Sequence, residues 1–275
     1  MAGMASQSLT RLGRRAVVAL AGPDWRDFMQ NLITQDVASL APGEIRFGAL
    51  LTPQGRLLYD LFVHGREDGC LIDCEAAHRE ALIARLTMYR LRAKATITSD
   101  ESPVLALWGG ETAPEGWARD PRLAELGWRA IGASTPAGAA RVDESAYEAH
   151  RLRLGVPGPE DFGTEKTYPI EADFDLLGGI DFRKGCFVGQ ETTSRMKRRG
   201  QIRNRMVPIA FDGDPPAFGT ELLAGELRAG EALGTHGDRA MALLRLDRLE
   251  AGPLTFGDGQ AWRPVWPDWL PRDDG

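Results

Sequence analysis

Cysteine is scarce in this 275-residue chain: Cys70, Cys74 and Cys186 are all there is, and no two have the Cys-x-x-Cys spacing of a zinc or dithiol site. An odd count without that spacing excludes a disulfide framework and a structural zinc centre, so a thiol that matters acts alone or with a partner. Long apolar runs are missing too. Ala16–Ala21 is the longest near the N-terminus, far short of the roughly 18–20 residues of a membrane-spanning helix. Met1–Arg15 has three arginines but no apolar stretch leading to a small-residue cleavage site, so no secretory leader is expected. A cytoplasmic protein without a membrane partner follows. His64, His78, His150 and His236 are scattered, with no carboxylate or cysteine at triad spacing, and no phosphate loop, dinucleotide fingerprint or long-period repeat occurs. No metal site is expected.

What is present is core material. With 43% hydrophobic residues the chain suits two compact units, and extensive disorder is excluded. Trp25, Phe28, Met29, Leu32 and Ile33 recur at helical spacing, which predicts an amphipathic helix over Asp24–Ile33 with Asp24 as its N-cap. Glu44–Leu51 and Arg56–Val63 are expected to form a hairpin through the turn Thr52-Pro53-Gln54-Gly55, with Gly69–Asp73 a further strand. A helix over Glu75–Arg92 follows, then strands near Ala93–Thr98, Val104–Trp108, Trp128 and Ala140–Val142, with a short helix opened by Pro121. Asp143–Leu154 reads as a helix burying Ala146, Tyr147, His150 and Leu154, stopped by Gly155 and Pro157. Gly155–Gly179 is expected as a long crossing loop. After Gly200, short strands over Met206–Phe211, Thr220–Leu223, Ala240–Leu246, Leu254–Phe256 and Gln260–Val265 point to a small antiparallel barrel, its tail pinned by Trp262, Trp266 and Trp269. The fold class is α+β, with residues 1–202 as two lobes that change near 93 and 143–180, and 203–275 as the barrel.

One segment carries the chemistry: Lys184-Gly185-Cys186-Phe187-Val188-Gly189-Gln190-Glu191, running on to Arg195, Lys197, Arg198, Arg199 and Gly200. It reads as a tight loop entering a helix whose acidic start and basic end complement the helix dipole. Cys186 lies ahead of that helix beside Arg183 and Lys184, a setting that favours thiolate. It is either a reactive or metal-binding thiolate or a small buried apolar residue.

This string resembles the signature of the YgfZ family, folate-binding relatives of the glycine-cleavage aminomethyltransferase that include the mitochondrial iron–sulfur assembly factor. Leu50–Val63, Tyr89–Lys94, Arg151–Pro157, Tyr168–Gly179 and Arg195–Pro208 extend the similarity over essentially the whole chain. The resemblance implies lobes around a central channel that binds tetrahydrofolate or another folate, a C-terminal barrel, and an accessory role in iron–sulfur cluster assembly or repair that supports tRNA modification indirectly. It implies iron–sulfur assembly or client proteins as partners and Cys186 as the essential thiol. Lys184, Gly185, Gln190, Glu191, Arg195, Glu171 and Tyr59 are the folate-side candidates. Asp60, in the pair Tyr59-Asp60, stands where the transferase has its catalytic carboxylate, or is an exposed strand carboxylate. Arg153 replaces the glutamate that holds the pterin in the transferase; Glu171 substitutes for it or is a loop surface charge. A tetrahydrofolate-dependent one-carbon transferase working through Asp60 is the alternative reading.

Charge leaves a third reading open. The net charge is −6, yet Arg183–Arg205 holds eight basic residues and one acidic, a local +7 against −13 for the rest. Such a concentration suits a polyanionic ligand such as folate polyglutamate and, less readily, RNA.

Overall fold

The computed structural model describes residues 7–200 and 202–272, the side chain of Arg199 excepted. The first residues of the stretch weighed for a leader, and the Arg199 member of the basic run, thus lie outside the described residues. Among the described residues no helix is long and apolar enough to cross a membrane.

Three sheets make up the molecule. The first orders Ile45–Leu51, Leu57–Arg66, Gly69–Glu75, Arg15–Ala21 and Thr96–Asp100, all antiparallel. The expected turn closes its hairpin, with Gly55 N–H donating to Thr52 O at 2.8 Å. Alternation along Leu57–Arg66 sends Tyr59, Leu61 and Val63 into a core roofed by the helices Trp25–Gln30 and Arg79–Arg90, and turns Asp60 and Phe62 to the opposite face. The second sheet orders Ala140–Arg141, Ser8–Arg11, Val104–Trp108, Trp128–Ile131 and Ala118–Arg119. Among the described residues the chain therefore starts in the second sheet and crosses to the first through the turn Leu12–Arg14. The first lobe also runs past residue 93, because Thr96–Asp100 pairs with Arg15–Ala21.

The third sheet is the barrel: Leu254–Phe256, Glu221–Ala224, Leu227–His236, Arg239–Arg245, Asn204–Phe211 and Trp262–Pro264. An antiparallel bridge between Thr255 and Ala261 draws its terminal strands together, so it is nearly closed. Trp262 is buried in it, and Trp269 donates its indole N–H to Leu154 O at 2.8 Å, fastening the tail to the neighbouring helix.

Several expectations shift for identifiable reasons. The first helix ends at Gln30, because the carbonyls of Gln30, Ile33 and Gln35 converge instead on the Lys184 ammonium. Asp24 caps nothing and accepts from Lys94 N–H at 2.7 Å. Ser8–Arg11, Arg15–Ala21 and Leu227–His236 are strands that the sequence pattern did not reveal. The segment after Gly155 is no surface loop: a short helix, Pro159–Phe162, and successive turns bury Val156, Phe162, Ile170, Ala172, Phe174 and Leu177. Phe162 and Phe174 join Phe47, Phe62 and Phe187 in the core where first sheet, crossing segment and barrel meet.

The motif helix, Gln190–Arg199, is seated on the hairpin turn. Gly189 starts it in the left-handed region at φ +81°, and a Cβ there would fall 2.7 Å from Thr52 O; one at Gly55 would fall 2.9 Å from Thr192 Cβ. Gly185, by contrast, looks into open space. Gly189→Ala should cost at least about 1–2 kcal/mol in denaturant unfolding while Gly185→Ala is near neutral; equal effects would show that the helix does not depend on this contact.

Candidate functional site

The thiol loop is wedged between two cores. Phe187 enters the phenylalanine cluster, Val188 packs on the core under the roof helices, and Lys184 is buried. Cys186, between these anchors, is exposed. It lies four residues before the helix begins at Gln190, with Gln190 Nε2 reaching Gly185 O at 3.5 Å. Cys70 and Cys74 are buried, and burial pushes both thiols up to about 12. Of the three sulfurs, Cys186 alone meets solvent.

Lys184 is a brace. Its ammonium donates to Gln30 O at 2.7 Å, Ile33 O at 2.6 Å and Gln35 O at 3.0 Å, which uses all three of its protons. No donor is left for a folate carboxylate. Glu171 is likewise engaged, accepting from Tyr168 N–H at 3.0 Å and from Asn204 Nδ2 at 2.9 Å. Gln190 is half-buried, and Glu191 and Arg195 are exposed on the motif helix. Tyr59 points away from Asp60, its ring 5.3 Å from that of His78, and burial raises its phenol. The sequence candidates thus divide between the thiol loop and separate surroundings.

Asp60 belongs to a cleft between the lobes, lined by Arg15, Asp60, Phe62, Arg122, Arg129, Tyr147 and their neighbours. Far from exposed, its carboxylate is buried, and both of its oxygens accept from Arg15 Nη1, at 3.0 and 2.8 Å. Arg15 Nε reaches Asp73 Oδ1 at 2.6 Å, and Arg129 Nη1 reaches the other oxygen at 2.5 Å. Arg122 forks onto Asp120 at 3.0 and 2.8 Å and donates to Tyr147 Oη at 2.9 Å. Three guanidiniums, those of Arg129, Arg122 and Arg15, gather over the Phe62 ring at 3.9, 4.8 and 5.3 Å. Arg15 and Arg129 hold the Asp73 carboxyl below its usual range against the opposing effect of burial, and Arg122 and Arg129 do the same for Asp120.

On the other wall, Arg151 binds Glu148 at 2.8 Å, Asp161 at 3.0 Å and Glu160. Burial and the charges of Asp161 and Glu148 push Glu160 above the usual carboxylate range, while Arg151, opposing burial, and a hydrogen bond with Glu160 hold Glu148 below it. Across the mouth, the crossing turn is fastened by Gly13 N–H to Glu144 Oε2 at 2.9 Å and by Arg14 to Glu148 at 3.2 Å and Glu160 at 3.8 Å.

Arg153 does not face this cleft. Two helical residues from Arg151, it is some 200° around the axis and lines a groove beside the barrel with His236 and Arg239. The buried face of Glu144–Arg153 is Tyr147, Glu148, Arg151 and Leu152, not the expected apolar stripe. The sequence signal that was missed is the i, i+3, i+4 and i+7 set Glu144, Tyr147, Glu148 and Arg151, a second, polar stripe. Arg15, Arg122 and Arg129 lie on or beside short strands and carried no pattern.

Because the folded pKa of Glu160 lies above that of a free glutamate, its proton stabilises the fold at low pH, and that contribution fades as pH rises towards neutrality. Glu160→Gln, a neutral stand-in for the protonated form, should flatten the fall in unfolding free energy over that range; an unchanged slope would show that Glu160 is not the group responsible.

Comparison with known proteins places this geometry. Residues 203–272 match the family model for the C-terminal β-barrel domain of CAF17. Over 97% of the chain and 87% of the other, the fold matches the glycine cleavage system aminomethyltransferase T of Bartonella henselae with a TM-score of 0.78 at 18% identity. The mitochondrial iron–sulfur cluster assembly factor IBA57 of Mus musculus is 32% identical over 95% of this chain and 85% of its own length, and that of Homo sapiens 31% over the same shares. The homologue from Mycosarcoma maydis is 33% identical over 76% of this chain and 59% of its own. The chain therefore belongs to the family of IBA57 iron–sulfur cluster assembly factors.

Proposed function

We propose that the protein is an accessory factor in iron–sulfur cluster assembly or repair, supporting tRNA modification indirectly, with Cys186 as its working thiol. The observation that carries this is the placement of one exposed sulfur between two buried anchors in a chain whose relatives are named as assembly factors. Among the described residues no group of three His, Cys, Asp or Glu side chains is arranged to hold a metal. One thiolate cannot complete the coordination of a cluster, so the remaining ligands come from an assembly or client protein. In a strain lacking the native gene, Cys186→Ser should fold with unchanged stability yet lose rescue of iron–sulfur enzyme activity; full rescue would overturn the proposal.

The cofactor belonging to this reading is tetrahydrofolate or another folate. The cleft holds the residue types that folate calls for, guanidiniums for carboxylates and carboxylates for a pterin's N–H groups, but they now bind one another: Arg15 and Arg129 hold Asp60 and Asp73, Arg122 holds Asp120, and Arg151 holds Glu148, so binding there would exchange internal pairs for ligand contacts. Bound there, folate would supply a one-carbon carrier. Room is the constraint, since the cavity volume is about 60 Å³, space for a few waters against the roughly 300–1,000 Å³ of drug-sized sites. Entry requires the Arg14 turn to leave Glu148 and Glu160. Asp60, clasped by Arg15, is a binding group in this reading, and nothing in its geometry favours transferase work. Calorimetric titration of Arg14→Ala with tetrahydrofolate should show about fivefold tighter binding than the parent, equivalent to the ~1 kcal/mol of partly exposed ion pairs. Binding by neither protein would remove folate and leave the assembly role standing.

A further inference from the structure

The two roof helices do not close over the first sheet completely. Trp25–Gln30, with the turn that follows it, faces the last turn of Arg79–Arg90 across a groove of about 450 Å³, within the roughly 300–1,000 Å³ of binding sites. Phe28, Leu32 and Tyr89, which belong to the core beneath, give it an apolar floor. Its walls carry opposite charge, Asp24 and Asp27 on one side and Arg90 and Arg92 on the other. Asp24 accepts from Lys94 N–H at 2.7 Å and Arg90 donates to Ala95 O at 3.2 Å. Asp27 and Arg92 are exposed, and among the described residues neither forms an ion pair, with the facing wall or elsewhere.

Leu91 forms the rim. It is 88% exposed, the most of any large hydrophobic side chain among the described residues, and Met88, three positions earlier on the helix, is 60% exposed. Leu91 also ends the helix at φ +45°, a conformation that helices ordinarily give to glycine because an L side chain strains it. Neither backbone geometry nor packing within the chain favours a leucine here. Strain and apolar exposure at the edge of a groove point to a contact made outside the chain.

We propose that this groove docks an amphipathic helix of a partner protein, which lays its apolar side chains on the floor against Leu91 and carries basic residues along one flank and acidic residues along the other. A helix fits better than an extended segment. The floor is built from helical side chains and the turn after them and offers no strand edge, so a strand would find no backbone partners there, whereas a helix satisfies its own. Apolar residues at i, i+3 or i+4 and i+7 span about 11 Å and supply the anchors. The split walls match a helix with differently charged flanks, and the acidic wall sets the groove against the anionic headgroups of a lipid surface. Cys186 is not part of this groove, so the proposal stands apart from the role of the thiol.

The test uses the full chain and a labelled, alanine-based peptide of about 18 residues, long enough to be helical alone, with leucines at i, i+3 and i+7, lysines along one flank and glutamates along the other. By fluorescence anisotropy the peptide should bind, and a version with a central proline should not. Leu91→Gly should weaken binding about tenfold while leaving the unfolding midpoint unchanged or higher, since glycine suits that backbone. Asp27→Lys and Arg92→Glu should each weaken binding about fivefold, and the double variant should return to within about twofold of the parent, because exchanging the walls lets the helix dock in the opposite direction. No binding, equal binding of the proline version, a loss of stability in Leu91→Gly, or charge variants whose losses add instead of cancelling would overturn the proposal. So would a dimer in sedimentation velocity, or binding to phosphatidylglycerol vesicles, that Leu91→Gly abolishes, since the groove would then belong to a second copy or to lipid.

Discussion

The lobes are joined by desolvated guanidiniums. Asp73, fully buried in the first sheet, is shared between Arg15 of that sheet and Arg129 of the second. Arg151 gathers Glu148, Glu160 and Asp161, and Asp161 in turn accepts from Gly234 of the barrel at 3.0 Å. Arg205, on a barrel strand, binds the crossing segment through Asp173 and Asp175. A buried ion pair adds little net stability over a well-packed apolar contact, yet removing one partner strands the other at a cost of about 3–5 kcal/mol. Such joints specify one arrangement of the lobes, and the polar groups that do so are the same ones that line the cleft.

Two candidate surfaces result. The cleft is closed, internally compensated and guarded by the crossing turn. The thiol loop is open, basic and rigidly mounted. Phe187 and Phe62 belong to one buried cluster, so both surfaces are built on a shared core, although Asp60 lies in the strand Leu57–Arg66 and Gly55 in the turn that precedes it. At the thiol end Lys184 is spent on carbonyls, while Gln190 and Glu191 stay on the surface of the motif helix; the cleft carries no thiol.

Much of the fold was legible in the sequence where the signal is local. Val104–Trp108 and Leu254–Phe256 coincide with strands to the residue, and the helix Glu144–Arg153 is bracketed by the expected Asp143 and Gly155. Those features depend on near neighbours: turn glycines, apolar runs, a helix stop. The interleaving of the lobes was not legible, since Ser8–Arg11 draws its meaning from Val104–Trp108 far along the chain. Nor was the cleft. A sequence scan for an apolar helix face finds Ala146 and His150, while the structure buries Glu148 and Arg151 because their partners arrive from Asp161 and Glu160. At the motif, Cys186 stood out, but the duty of Lys184 depends on three carbonyls some 150 positions away.

The first strand's place in the second sheet has a consequence for how the chain is made. Ser8 pairs with Trp108, so during synthesis the strand has no partner until about 100 more residues have followed. At roughly 5–20 residues per second that is a wait of about 5–20 s. The first sheet is complete by Asp100, leaving Ser8–Arg11 to be captured afterwards by the second sheet. Closure of that joint also draws the Leu12–Arg14 turn over the cleft, so the guarded cavity is among the final features to form and its mouth is shut by the act of folding.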